Sequence, residues 1–324
     1  MEQQMWDSKP YHSLDYYFKD VYGEKIYKIA IDGGMTCPNR DGVLDYRGCI
    51  FCSKGGSGEF AVSAKDREHP DVVAQIAEGK ERIAQKFPGH RYIAYFQPYT
   101  NTYAPVSYLE EVYTQALSDP DVAGLSIATR PDCLSEEVIL LLRRIKEQFP
   151  DRFLWVELGL QTIHRETVQY IRRGYETSVF EDAVKVLHNL QIPVIVHVIL
   201  GLPGETREQM VTTVEYLNTF PIFGVKIQLL HVLEGTDLAN DYAQRLFDVL
   251  TMDEYIDIVI ECLERLTPEM VIHRLTGDGP KDLLIAPDWS TNKKRVLNTL
   301  LSEMKKRNSW QGKQYENTGT FHVI

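Results

Sequence analysis

Cysteine is scarce in this chain of 324 residues: there are five, an odd number that cannot pair off completely as disulfides. Long apolar runs are missing. The stretch Ile192 to Leu200 is interrupted by Pro193 and His197, and it falls far short of the ~20 residues that span a bilayer. No hydrophobic leader opens the chain, whose first twenty residues carry Asp7, Lys9, Asp15 and Lys19. These absences exclude a membrane partner and predict a soluble protein of the reducing cytoplasm. Positive charge is also in deficit, 35 Lys and Arg against 46 Asp and Glu for a net −11, which argues against indiscriminate nucleic-acid binding over the whole surface.

What cysteine there is, is concentrated. Cys37, Cys49 and Cys52 follow Cys-x11-Cys-x2-Cys, while Cys133 and Cys262 stand far downstream without a partner at ligand spacing and read as buried thiols. Thiolates ligate iron–sulfur clusters, and a cluster that only passes electrons takes four of them. Three would leave one iron open to a substrate or cofactor. A structural zinc site needs four ligands, usually as two close pairs, and no histidine stands near these cysteines in sequence. The favoured reading is a cluster with an open iron. A zinc-stabilised interaction protein without catalysis is the alternative from another class.

Short runs rich in β-branched and aromatic residues alternate with amphipathic stretches from about residue 26 onward. This is the pattern of a parallel α/β sheet. Strands are expected at 26–32, 91–97, 124–129, 153–159, 194–200 and 225–231. Helices are expected near 70–87, 106–118, 135–149, 164–190 (two, broken near Gly174), 207–219 and 239–266. Six units suggest a partial (β/α)6 barrel, short of the eight of a complete one. Ser135 is placed to cap the helix that follows it, and Gly174 to close the one before it. The expected organisation is an amino-terminal extension 1–25, a barrel 26–267 and a carboxy-terminal extension 268–324 with a strand-like 270–275 and a basic helix near 291–307.

In such a barrel the loops after the strands form the active-site rim, and Cys37 follows the first strand. Gly55, Gly56 and Gly58 after the last cysteine allow close backbone approach. The other strand ends carry polar residues in turn: Gln97 and Asn101, Thr129 and Arg130, Glu157 and Gln161, His197, and His231. Polar side chains converging on one mouth can hold a polar cofactor. Tyr95, Tyr99, Tyr103 and Arg274 are further cavity candidates.

These residues carry a resemblance. Cys37-x11-Cys49-Ile-Phe-Cys52, Phe96 to Tyr103 (FQPYTNTY), Ser126 to Asp132 (SIATRPD), Glu157 to Gln161 (ELGLQ), Gly201 to Thr206 (GLPGET) and His273 to Gly279 (HRLTGDG) are similar, in order and interval, to the Elongator-type group of radical S-adenosylmethionine enzymes. The likeness is to its short bacterial members without an acetyltransferase domain, and it covers roughly residues 20 to 300. It implies a [4Fe–4S] cluster on Cys37, Cys49 and Cys52, with S-adenosylmethionine chelating the fourth iron. A 5′-deoxyadenosyl radical formed from it would take a hydrogen atom from the substrate, the chemistry being the cofactor's. Phe51 would lie near the adenine. Gln161 and Arg173 match a pair that reaches the methionine carboxylate and ribose, an arginine being able to fork onto a carboxylate. His197 would meet the ribose and the turn at Gly201 the adenine. The Gly-Gly-Glu common after the second strand is replaced here, leaving Gln97 or Asn101 for the methionine amino group.

The resemblance further implies a reducing electron donor of flavodoxin or ferredoxin type and a transfer-RNA substrate. With no acetyl-CoA-binding domain, remodelling of an existing substituent at carbon 5 of a wobble uridine is expected, such as carboxymethylaminomethyl to aminomethyl. From Lys293 to Lys313 the charge balance reverses, with Lys293, Lys294, Arg295, Lys305, Lys306 and Arg307 as candidate contacts to RNA. A radical enzyme acting on a small metabolite such as a tetrapyrrole is the alternative.

Overall fold

The computed structural model describes residues 3–56, 58, 61, 70–87, 89–277 and 279–316. Asp278 of the last motif and residues 317–324 of the expected extension lie outside them. The chain opens with helix α1 (Leu14–Tyr22) and then alternates strand and helix: β1 (Tyr27–Ile31), α2 (Val72–Ala84), β2 (Tyr92–Phe96), α3 (Val106–Leu117), β3 (Val122–Thr129), α4 (Glu136–Gln148), β4 (Phe153–Gln161), α5 (Arg165–Tyr170), α6 (Thr177–Asn189), β5 (Val194–Leu200), α7 (Arg207–Glu215) and β6 (Gly224–Leu229). A short strand β7 (Val232–Leu233), helices α8 (Asp237–Ala243) and α9 (Met252–Arg265), strands β8 (Val271–Arg274) and β9 (Leu284–Ala286), and helix α10 (Lys293–Lys306) follow.

Seven strands pair in the order β1-β2-β3-β4-β5-β6-β8, every neighbour parallel. This is the expected partial barrel with one strand more. The strand-like 270–275 becomes β8 because Gly224 leaves room beside it: a Cβ at Gly224 would stand 2.6 Å from the His273 ring. Strands β2 and β3 are buried at every position, as strands of a parallel sheet with both faces covered should be. The helices present apolar stripes to the sheet. In α4, Val138, Leu141, Leu142 and Ile145 are buried, the spacing of one helical face, and each such side chain contributes about 1.5–3 kcal/mol. Ser135 caps that helix by accepting from the Val138 amide at 3.3 Å.

The amino ends of the strands are plugged. Phe18 of α1 stacks on Trp155 with ring centroids 5.7 Å apart, and Trp155 stacks on Phe153 at 4.3 Å. Tyr17 and Phe223 complete the plug. With that end closed, the carboxyl ends of the strands form the open mouth. Among the described residues no helix is long and apolar enough to cross a membrane.

Candidate active site

The loop after β1 gathers the three cysteines. Arg40 and Asp41 amides donate to the Cys37 carbonyl at 2.8 and 3.2 Å, and the Cys52 amide to the Cys49 carbonyl at 2.9 Å. Arg40 Nη2 donates to the Cys52 and Ser53 carbonyls at 2.7 and 2.5 Å, closing the loop on itself. Asn39 Nδ2 ties it to the turn after α5, donating to the Arg172 carbonyl at 2.8 Å and toward Cys49 Sγ at 3.5 Å. Gly174, read as a helix cap, serves this contact instead: α5 ends at Tyr170, and a Cβ on Gly174 would stand 2.9 Å from Asn39 Oδ1. All three thiols are half-buried. Burial, and next the Cys52 and Cys37 sulfurs, push the Cys49 thiol up to about 12, so a thiolate there calls for a positive partner.

The other two cysteines divide. Cys262 is buried in α9, as expected, but Cys133 is half-exposed. Strand β3 delivers it to the mouth end, where it lies in a groove with Pro38, Leu44 and Tyr103. Sequence distance concealed that neighbourhood.

Beside the cysteine loop a polar cavity of about 230 Å³ opens at the mouth, lined by Phe51, Gln97, Glu157, Gln161 and His197 of the expected residues and by Tyr95, His231 and Arg274. Tyr99 and Tyr103 do not line it. Gln161 enters through a bulge, its backbone at φ 59° and its side chain against Gly159, where a Cβ would stand 2.4 Å from Gln161 Nε2.

Glu157 is the hub of the cavity floor. Its Oε1 accepts from Ser126 Oγ at 2.6 Å and Lys28 Nζ at 3.4 Å, and its Oε2 from His197 Nε2 at 2.6 Å and from Lys226 Nζ. Lys226 also donates to the Tyr95 hydroxyl at 2.9 Å. Burial raises the Glu157 carboxyl, but Lys226 and Lys28 more than offset it and hold the group well below the usual glutamate range. Burial, then Lys226, lower His197 to about 4, so the ring is neutral at physiological pH. With Nδ1 accepting from Gln228 at 3.1 Å, its proton is on Nε2. The sequence reading missed Lys226 and Lys28. The signal for Lys226 was a charge between Val225 and Ile227 in an apolar strand, which is tolerated only with a partner.

Three expected cofactor residues do not line the cavity. Arg173 is buried, and its guanidinium donates to the carbonyls of Leu160, Thr162 and Tyr175 at 2.7, 2.8 and 3.1 Å and to Thr177 Oγ1 at 3.1 Å. It clamps the turn that carries Gln161. Gly201, at φ 87°, packs under Leu250. Asn101 Nδ2 staples β2 to β3 through the carbonyls of Phe96 and Ala128 at 3.1 and 2.8 Å. Its buried Oδ1 has no hydrogen-bond partner among the described residues, an acceptor that an amino group would satisfy.

The basic segment is not one patch. Trp289, just before α10, donates to the Leu250 carbonyl at 3.0 Å, and Leu250 covers Gly201 at the carboxyl end of β5. Just after the helix, Gln311 donates to the carbonyls of Thr267 and Met270 at 2.7 and 2.8 Å, before β8 begins. Lys293, Lys294 and Arg295 are therefore at the mouth end of the barrel and Lys305, Lys306 and Arg307 at the plugged end. The 14 residues of α10 separate the two groups by about 20 Å. The far group is also partly neutralised, Lys306 by Glu303 at 2.7 Å and Arg307 by Asp257 at 2.6 Å.

A mouth cavity beside a three-cysteine loop on a parallel partial barrel agrees with the comparison of the chain with protein families. The model described as Radical SAM superfamily matches residues 45–217, 173 of 324. The chain belongs to the radical SAM superfamily. A model for the radical SAM C-terminal domain matches residues 222–306. YtqA of Bacillus subtilis is 42% identical over 95% of this chain and 94% of its own length. A tRNA uridine(34) acetyltransferase of Methanocaldococcus infernus is 28% identical over 50% of this chain and 30% of its own length. Among solved structures, an archaeal Elp3 of M. infernus shares the fold with TM-score 0.66 at 18% identity, over 88% of this chain and 64% of that one.

Radical SAM enzymes use a [4Fe–4S] cluster and S-adenosylmethionine, and this enzyme is one of them. The residues present suit both groups: three neighbouring thiols are a cluster's donor set, and the cavity supplies an aromatic ring, amides and a neutral imidazole for a nucleoside. Bound together, the two supply a carbon radical that takes a hydrogen atom from a substrate. The chain's part is to bind, orient and exclude water, with Glu157 and its donors fixing the cavity floor.

Proposed function

We propose that this radical SAM enzyme acts in the cytoplasm on the carbon-5 side chain of a wobble uridine in transfer RNA, trimming a carboxymethylaminomethyl group to aminomethyl. Cys37, Cys49 and Cys52 hold the cluster, which receives its electron from a flavodoxin- or ferredoxin-type donor. Phe51, Gln97, Gln161 and His197 face S-adenosylmethionine, and Asn101, Glu157, Arg173 and Gly201 hold the surrounding structure in shape. The observation that carries the reading is the meeting, at one end of the sheet, of the three-cysteine loop, the polar cavity and the basic first turn of α10. Similarity to an enzyme named for uridine 34 of tRNA supports the choice of RNA.

Deletion of the gene should shift the nucleosides of total tRNA, measured by mass spectrometry, toward the longer wobble substituent at the expense of the shorter. An unchanged wobble-uridine profile sinks the reading. Charge reversal locates the RNA. Lys294→Glu with Arg295→Glu is expected to weaken tRNA binding about tenfold and to flatten its salt dependence by about one unit per lost phosphate contact. Lys305→Glu with Lys306→Glu, at the plugged end, is expected to change affinity less than twofold. Filter binding at two salt concentrations decides between them, and equal losses from both pairs would remove the mouth from the RNA footprint.

A further inference from the structure

Among the described residues the cavity floor holds three cationic side chains, Lys28, Lys226 and Arg274, around one buried carboxylate, Glu157. Lys28 and Lys226 reach Glu157, and Arg274 lies near enough to act on both of them. Both Glu157 oxygens are already taken by Ser126, Lys28, His197 and Lys226, so nothing remains for Arg274. It pairs in register with Lys226 across β6 and β8 and lines the cavity, half-buried. Among the described residues its guanidinium makes no hydrogen bond or ion pair. A half-buried guanidinium without an acceptor is costly, and a carboxylate is the group whose two oxygens match its fork.

The excess is felt by its neighbours. Burial first, and then Lys28 and Arg274, pull Lys226 well below the usual lysine range against the attraction of Glu157. An anion seated on this floor would relieve that repulsion. The sheet order puts β8 at the edge opposite β1, whose loop carries the cysteines. None of the residues that the resemblance assigns to the cofactor stands on β8, which leaves Arg274 to the other reactant.

We propose that the floor of the mouth cavity is a subsite for an anionic substituent of the substrate, and that Arg274 recognises a carboxylate on it. Its identity rests on the wobble-uridine reading, in which it is the terminal carboxylate of the carboxymethylaminomethyl group. Discrimination against an uncharged analogue follows, since the guanidinium is left unpaired by a ligand that cannot accept from its fork.

The test uses the anaerobically reconstituted holoenzyme with S-adenosylmethionine present and the probes N-benzylglycine and N-benzylglycinamide, titrated by calorimetry. The wild type should bind the acid about tenfold more tightly than the amide. Arg274→Gln should abolish that preference, and Arg274→Lys, which keeps the charge without the fork and reports on folding, should retain part of it. A wild type without the preference, or Arg274→Gln that keeps it, overturns the proposal. So does a tenfold loss of S-adenosylmethionine affinity in Arg274→Gln, which would give the guanidinium to the cofactor's own carboxylate. Conversion of tRNA carrying the longer substituent is measured in parallel. A wild type that prefers the acid but leaves this tRNA unchanged refutes the wobble-uridine reading and keeps the anion subsite.

Discussion

Replacing Glu157 by leucine is expected to destabilise the barrel by about 3–5 kcal/mol, the usual loss when one partner of a buried ion pair is removed. The Glu157 side chain is 0% exposed and that of Lys226 4%, so neither charge has water to fall back on. Without the carboxylate, Lys226 and Lys28 repel each other in a space that also holds Arg274, and Ser126 and His197 lose their acceptor. Glu157→Gln keeps an acceptor oxygen but not the charge, and is expected to cost less than leucine. Urea unfolding measures both. A leucine variant within 1 kcal/mol of wild type, a loss far below the buried-pair range, would show that the network does not hold the sheet.

The same network sets an acid limit. His197 has a folded value of about 4 against an ordinary 6.5. Its contribution is complete above the higher value and is lost as pH falls from there toward the lower one. Glu157 is also lowered, so its contribution persists to more acid pH and goes last. Melting temperature should therefore fall in two stages on acidification, and His197→Asn should remove the first. A single stage in the wild type would contradict the assignment.

Alanine at Cys37, Cys49 or Cys52 is expected to abolish reductive cleavage of S-adenosylmethionine and to strip most iron from anaerobically purified protein. A cluster held by three thiolates has no spare ligand, and each sulfur lost opens another iron. Cys133→Ala and Cys262→Ala should retain iron and cleavage. Cys133 is the informative control, because β3 brings it to the mouth while it sits in a separate groove. Loss of iron on its replacement would mean a fourth thiolate and remove the open coordination position on which the chemistry depends. Iron analysis and 5′-deoxyadenosine release are the two measurements.

Much of the fold was legible because local pattern and tertiary demand agree. Apolar runs too short for helices and flanked by amphipathic stretches are buried as parallel strands with both faces covered. The Ser135 cap formed for a reason visible in four consecutive residues. Gln97, Glu157, Gln161 and His197 reach one cavity because polar residues at successive parallel strand ends share a mouth, and the cysteine loop brings Phe51 to it. The expected single helix at 239–266 was wrong in detail: α8 ends at Ala243 and α9 starts only at Met252, after its Thr251 cap. Arg173 is the clearer lesson. Its spacing from Gln161 was visible, but the carbonyls that take its guanidinium, those of Leu160 and Thr162 on either side of Gln161 and of Tyr175 after α5, come together only once β4 and α5 have formed.

The amino-acid order by itself determined the chemistry within reach: three thiols in one short segment and polar groups at strand ends, since both depend on spacing along a chain of known local geometry. Which charges meet was decided in three dimensions. Lys28, Ser126, Glu157, His197 and Lys226 come from five strands and acquire their partners only when the sheet curls, and a basic run that looks continuous in one dimension is split between opposite ends of a barrel by the length of the helix that carries it.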